Sequence, residues 1–313
     1  MRCIAPLTLL ATATLAGCAT TGTPMIEPKD RIDVIAHRGA SAYAPENTLA
    51  AFELAAEMDA DWYELDCLLT KDNVVIVSHD GDLKRCTNGA GEIAAKTLAE
   101  LKALDAGSWF GEKFAGEPMP TLAESLAMAK DRIGVYVEIK SAANDGALMA
   151  QLWQTAEGHD ALDQDLAAAM MALVEADGSR NLALARAAIA DIRAAGMTHQ
   201  VVIQSFSPVI CLVARAEAPE IRTEYLGGYD PEKPDDWDRY LAWGMLIDVA
   251  GFNVSHGSIN PERLAWFHDA GKTVAVWTVN EEADMQRYID LGVDAIITNH
   301  PDRLRVLLAA GRG

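Results

Sequence analysis

Four short segments of the chain carry ionisable side chains where extended runs end: His37 and Arg38, Glu64 and Asp66, His79 and Asp80, Glu138 and Lys140. Side chains two apart on a strand share a face, so Glu64 points with Asp66, and Glu138 with Lys140. Three carboxylates gathered in one place repel one another and drive a proton back onto one of them unless a cation neutralises them. A hard divalent ion such as Ca²⁺ or Mg²⁺ prefers oxygen ligands of this kind. Two histidines beside it, titrating near neutral pH, could take and return protons. The chemistry such a set suits is metal-assisted cleavage of a phosphate ester.

The elements that must position these groups are short apolar runs alternating with alanine-rich helical stretches. Strands are expected at 33–36, 62–68, 74–78, 135–139, 201–205, 223–226, 249–254, 273–279 and 295–298. That is one more than the eight of a closed (β/α)₈ barrel. Only Thr70, Lys71, Asp72 and Asn73 separate the second run from the third, too few for a crossover helix and right for a hairpin. The third run is therefore expected to be an extra antiparallel strand that folds His79 back beside Glu64. Leu49, Phe52 and Ala56 recur at helical spacing behind an Asn47 or Thr48 cap. Two segments exceed what a barrel needs: 81–120, rich in glycine, and 141–200, which reads as helical decoration.

In this order, H-R-G at 37–39, P-E-N-T at 45–48, E-L-D at 64–66, H-D at 79–80, E-I-K at 138–140 and W-T-V-N at 277–280 resemble the glycerophosphodiester phosphodiesterase family. No one of these motifs is specific alone; the ordered set, covering residues 33 to about 305, is. The resemblance implies a TIM barrel of the phospholipase C-like phosphodiesterase type, with 81–120 as a small insertion at its mouth. It implies Glu64, Asp66 and Glu138 as ligands of a divalent ion, Ca²⁺ or Mg²⁺, and His37 and His79 as the acid and base. Arg38 and Lys140 would hold the phosphate. Trp277 matches a substrate-facing aromatic of the family and equally fits a core tryptophan. The implied reaction is hydrolysis of a small-molecule glycerophosphodiester to an alcohol and sn-glycerol 3-phosphate, through a nucleophile that in the family is the glycerol hydroxyl itself. Which histidine is acid and which base is left open by the sequence.

The N-terminus reads as an export signal over 1–17: Arg2, then a short apolar run from Ile4 to Leu15. That run is too short to span a bilayer. Leu15-Ala16-Gly17-Cys18 resembles a lipobox, which implies lipidation of Cys18, a tether over 18–32 and a membrane-anchored, periplasm-facing protein with its barrel over 33–313. The alternative is an ordinary cleaved signal that happens to contain a cysteine. Three other cysteines, Cys67, Cys86 and Cys211, fit buried free thiols better than a disulfide set. Cys67 follows Asp66 and so should face the covering helices.

With 26 Lys and Arg against 46 Asp and Glu, the net charge of −20 argues against nucleic acid as a partner and leaves phosphate binding to a local cation. At 313 residues, half of them hydrophobic, the chain can bury one large core. Glu46 and Asn47 are expected to cap the first helix and hold the loop carrying Arg38, and Asp80 to orient its neighbours. The stripe Trp237, Tyr240, Leu241, Gly244 reads as a helix docked on the barrel, with membrane contact as the lesser alternative. His159, His199, His256, His268 and His300 lack carboxylates at recognisable spacing and read as structural, His300 lying close to the mouth. Gly89-Ala90-Gly91 opens no strand-to-helix turn, so a nucleotide loop is not supported. Two rival functions share these features: a lysophospholipase D, and a surface lipoprotein that binds without turnover.

Overall fold

The computed structural model describes residues 31–310. Its strands are β1 (Asp33–Ala36), β2 (Trp62–Leu69), β3 (Val75–Val77), β4 (Gly134–Ile139), β5 (Val201–Ser205), β6 (Arg222–Gly227), β7 (Gly251–Ser255), β8 (Thr273–Trp277) and β9 (Ala295–Thr298). All but β3 pair in parallel, in the order β1-β9-β8-β7-β6-β5-β4-β2, and the sheet closes where β1 meets β2 with Ile35 opposite Trp62. The result is a (β/α)₈ barrel. β3 is antiparallel to β2, with Cys67 opposite Val77. The turn between them is stitched locally, Val74 N–H donating to Thr70 Oγ1 at 2.9 Å while Asn73 takes a φ of 61° that asparagine tolerates. Expected strand ends at β7 and β8 move by one or two residues, the ordinary uncertainty of element boundaries.

Strands covered on both faces need apolar residues on both, which explains their near-continuous hydrophobicity. Alternate residues fill two layers. Ile35, Tyr136, Val202, Ala275 and Ile297 pack inside the barrel. Tyr63, Leu65, Val135, Val137 and Ile203 face outward against the helices. There Tyr63 stacks on Phe52 of the helix Leu49–Glu57, ring centroids 4.3 Å apart. That helix is capped by Thr48, whose Oγ1 accepts from Ala51 N–H.

The segment 141–200 forms the helices Gly146–Thr155, Gln164–Asp177 and Arg180–Ala195. The last packs on β2 and β4 and is the crossover; the first two pack on each other, and the second also on the helix Pro208–Glu217. Helix Pro234–Leu246 buries Trp237, Tyr240 and Trp243 against the barrel. Its Gly244 is required by close approach, since a Cβ there would lie 2.4 Å from the Phe252 ring. The docked reading of that stripe is the one the structure shows. Between β3 and β4, residues 81–120 build a small separate core, Leu83, Ile93, Leu101 and Met119 closing over Ile76 of β3. Cys67, Cys86 and Cys211 are free thiols, Cys67 buried in the outward-facing layer. The signal, Cys18 and nearly all of the proposed tether lie outside the described residues. Among the described residues no helix is long and apolar enough to cross a membrane.

Candidate active site

The barrel's two ends differ in chemistry. At the end where the strands begin, Arg222 pairs with Glu224 in a cavity that Asp33 and Asp294 also line. At the other end the inward rows of adjacent strands deliver the carboxylates: Glu64 and Asp66 from β2, Glu138 from β4, with Asp66 directly opposite Glu138 in the ladder. Their ligand atoms lie within 4.8 Å of one another, and all three residues are buried. Lys140, next in the β4 row, sits 2.7 Å from Glu138 Oε1 and 3.3 Å from Asp66 Oδ1.

Burial and mutual repulsion act on the cluster together. Glu64 is pushed well above the usual carboxylate range by burial, then by Asp66 and Glu138. Glu138 is raised to about 7 by burial and by Asp66, against the pull of Lys140. Burial also presses on Asp66, but Lys140 and Arg38 outweigh it and hold that carboxyl below its ordinary value. Two carboxylates thus resist ionisation in the protein alone. A set of hard oxygens this close and this frustrated fits one divalent cation.

His37 leaves β1 with its backbone N–H on Thr298 O at 2.8 Å. The next two residues turn the chain, Arg38 at φ 55° and Gly39 at φ 80°. A Cβ at Gly39 would lie 2.6 Å from the Ala51 backbone, so only glycine lets the loop lie on the first helix. The turn aims Arg38 N–H at Glu64 Oε2, 2.9 Å away. The hairpin places His79 by donating Ser78 N–H to Asp66 O at 2.9 Å.

The two imidazoles have different partners. His37 Nδ1 faces Asn299 Oδ1 at 2.7 Å, a neutral acceptor, which puts the proton on Nδ1 and leaves Nε2 a lone pair. Burial, then Arg38, lowers His37 to about 4. His79 Nδ1 instead faces a carboxylate, Asp80 Oδ1, at 2.7 Å. Asp80 is lowered to about 2, mainly by its hydrogen bond from Arg85.

Sequence reasoning missed Arg85. It lies in the 81–120 segment and donates Nε to Asp80 Oδ2 and both Nη groups to Glu46, which in turn accepts from Arg38 Nη1 at 2.8 Å. No local spacing signals this, because Arg85 and Glu46 are 39 residues apart. Asn47 is not a helix cap. Its Nδ2 donates to Asp66 Oδ2 at 2.8 Å and its Oδ1 accepts from Asp66 N–H, so it clamps a candidate ligand, while its backbone N–H holds Arg38 O. The capping role falls to Thr48 because Asn47 adopts a left-handed φ of 60°.

A cavity of about 180 Å³ opens over these groups, lined by His37, Glu64, His79, Lys140, Phe206 and Trp277. Trp277 ends β8 half-buried, its Nε1 donating to Asn253 O at 3.0 Å, and it both packs on the inner barrel layer and lines this cavity. Phe206, unforeseen from sequence, is 45 % exposed and meets Trp277 edge to face at 5.5 Å. His300 sits beside Asn299 and hydrogen-bonds Tyr43, near the site but outside it. His268 does have a carboxylate partner, Asp294, too far along the chain for spacing to reveal.

A family model described as the glycerophosphoryl diester phosphodiesterase family matches residues 37–303. The chain belongs to that family. A glycerophosphodiester phosphodiesterase of Caldanaerobacter subterraneus is 34 % identical over 281 residues, covering 89 % of this chain and 98 % of that one. A namesake from Bacillus subtilis is 31 % identical, covering 87 % and 85 %. Among solved structures, an Oleispira antarctica phosphodiesterase in complex with the product sn-glycerol-3-phosphate superposes with a TM-score of 0.68 at 26 % identity, over 88 % of this chain and 96 % of that one. The matched span, residues 37–303, contains every residue of the barrel mouth described above.

Proposed function

We propose that the chain hydrolyses glycerophosphodiesters to an alcohol and sn-glycerol 3-phosphate, using a divalent ion held by Glu64, Asp66 and Glu138. The observation that carries this is the buried three-carboxylate cluster between two differently partnered histidines. Bound there, Ca²⁺ or Mg²⁺ supplies positive charge to a nonbridging phosphate oxygen. Arg38 and Lys140 add fixed cations on either side of Asp66, so the phosphate meets charge without reorganisation.

The histidines divide the proton work by their partners. His37 is the base: burial, then Arg38, keeps the imidazole neutral near pH 7, and the Asn299 amide holds its proton on Nδ1 so that Nε2 can take the proton of the attacking hydroxyl. His79 is the acid: Asp80 Oδ1 behind Nδ1 orients the ring so that Nε2 can give a proton to the departing alcohol. Trp277 and Phe206 wall the glycerol half. Cys18 would carry a lipid and hold the enzyme on a membrane facing the periplasm. The reading is tested by release of glycerol 3-phosphate from glycerophosphocholine, which must stop on chelation and fall sharply in His37→Ala and His79→Ala.

A further inference from the structure

A second cavity, about 330 Å³ against about 180 Å³, opens on the far side of His79 and Lys140, between the barrel rim and the 81–120 insertion. Those two residues line both cavities, and no other residue does. Strand periodicity explains its walls. The inward row of β2 runs Glu64, Asp66, Leu68, and the chain past β4 brings Ala142 beyond Lys140, so both carboxylate-bearing rows turn apolar at the groove. Ile93 of the insertion faces them.

Two charges also line the groove. Arg180 opens the helix Arg180–Ala195 and is fixed on the rim by Nη2, which donates to Leu69 O at 3.1 Å and Thr70 O at 3.5 Å. Among the described residues its hydrogen bonds use Nη2 alone, leaving Nη1 and Nε for a ligand. Glu92 stands on the insertion side, its carboxylate in no hydrogen bond or ion pair among the described residues.

Displacement at phosphorus sets the entering and leaving oxygens on opposite sides. Two cavities that meet at His79 and Lys140 match the two halves of a diester, the smaller aromatic one for glycerol and the larger for the departing alcohol. We propose that the groove is the leaving-group subsite of the hydrolysis described above, on which this inference rests, and that Arg180 and Glu92 select an alcohol bearing both a carboxylate and an ammonium group. As the P–O bond to that alcohol breaks, its oxygen keeps the bonding pair and takes a proton from His79.

The test compares kcat/KM for glycerophosphoserine and for the methyl diester of glycerol 3-phosphate, whose one-carbon leaving group cannot reach Arg180. The full-length enzyme should favour the serine diester about tenfold, and Arg180→Ala should erase that ratio, with Arg180→Lys restoring part of it. Glu92→Gln should weaken serine and ethanolamine diesters relative to methyl. Ala94→Trp, which narrows the groove without touching either charge, should also lower the ratio. A serine-to-methyl ratio unchanged in Arg180→Ala and Ala94→Trp, in enzyme that hydrolyses both diesters, would overturn the subsite alone. No hydrolysis of either diester by the wild type would overturn the activity and the subsite with it.

Discussion

Arg85 and Glu46 are joined by two parallel hydrogen bonds of 2.8 Å, Nη1 to Oε2 and Nη2 to Oε1. This fork ties the insertion to the loop that carries Arg38. Because Arg85 also holds Asp80, one side chain sets both the carboxylate behind His79 and the carboxylate against Arg38. Arg85→Ala should therefore lower kcat by about tenfold, as Asp80 loses its anchor and orients the His79 ring less firmly. Arg85→Lys, a point charge without the fork, should recover little. A kcat in Arg85→Ala within about twofold of the wild type would reduce Arg85 to a structural tie.

Metal should stabilise the protein, and more so at higher pH. Glu138 rises from its ordinary 4.5 to about 7 in the fold, so between those values the unfolded chain has given up a proton that the fold still holds. Metal-free stability then falls as pH climbs from about 4.5 to about 7 and stays low above that. A bound divalent ion removes the repulsion and needs the carboxylates ionised. At a hundredfold excess over Kd, Tm should increase by roughly 5 °C at pH 8. The increment should shrink at pH 5. Differential scanning calorimetry with and without chelator checks this, and an increment larger at pH 5 would contradict it.

Much of this arrangement was legible in the chain because strand periodicity is local. Glu64 with Asp66, the four-residue turn that makes β3 antiparallel, and the strand-end placing of His37 and His79 all follow from spacing. What escaped depends on distant closure of the barrel. Asn299 reaches His37 only because β9 lies beside β1, and Arg85 reaches Glu46 only once the insertion has folded over the mouth. Asn47 was misassigned for a related reason: its place before a helix suggests a cap, but its left-handed backbone turns it toward Asp66. In the segment 141–200, helical pattern could not tell the crossover helix from the two that pack on each other before it.

Lysolipids should be poor substrates. A lysophospholipase D must lead an acyl chain away from the glycerol half, each buried methylene contributing roughly 0.8 kcal/mol. The large exposed apolar residues described are Trp109, Phe206, Trp266 and Val306, and of these only Phe206 lines the phosphate cavity. Leu101 is consumed in the insertion's own core. The kcat/KM for lysophosphatidylcholine should lie at least a hundredfold below that for glycerophosphocholine. Parity between them would favour the lipid reading.

If Cys18 carries a lipid, Cys18→Ser should move the protein from the membrane fraction to the soluble fraction or stall its processing, with activity retained because the barrel begins at Asp33. Fractionation of the native envelope with mass spectrometry of the N-terminus decides it; wild-type protein that is soluble and unacylated there would remove the anchor.

His37→Ala and His79→Ala should each reduce turnover about a hundredfold or more, and the double variant should lose far less than the product of the two. The central claim is tested most directly by incubating the purified enzyme with glycerophosphocholine and quantifying both products before chelation, after it, and after adding back Ca²⁺ or Mg²⁺. One glycerol 3-phosphate per choline, lost on chelation and restored by the ion, is the predicted result. Release of phosphocholine instead, or undiminished hydrolysis by enzyme whose metal content is verified as nil, would contradict it.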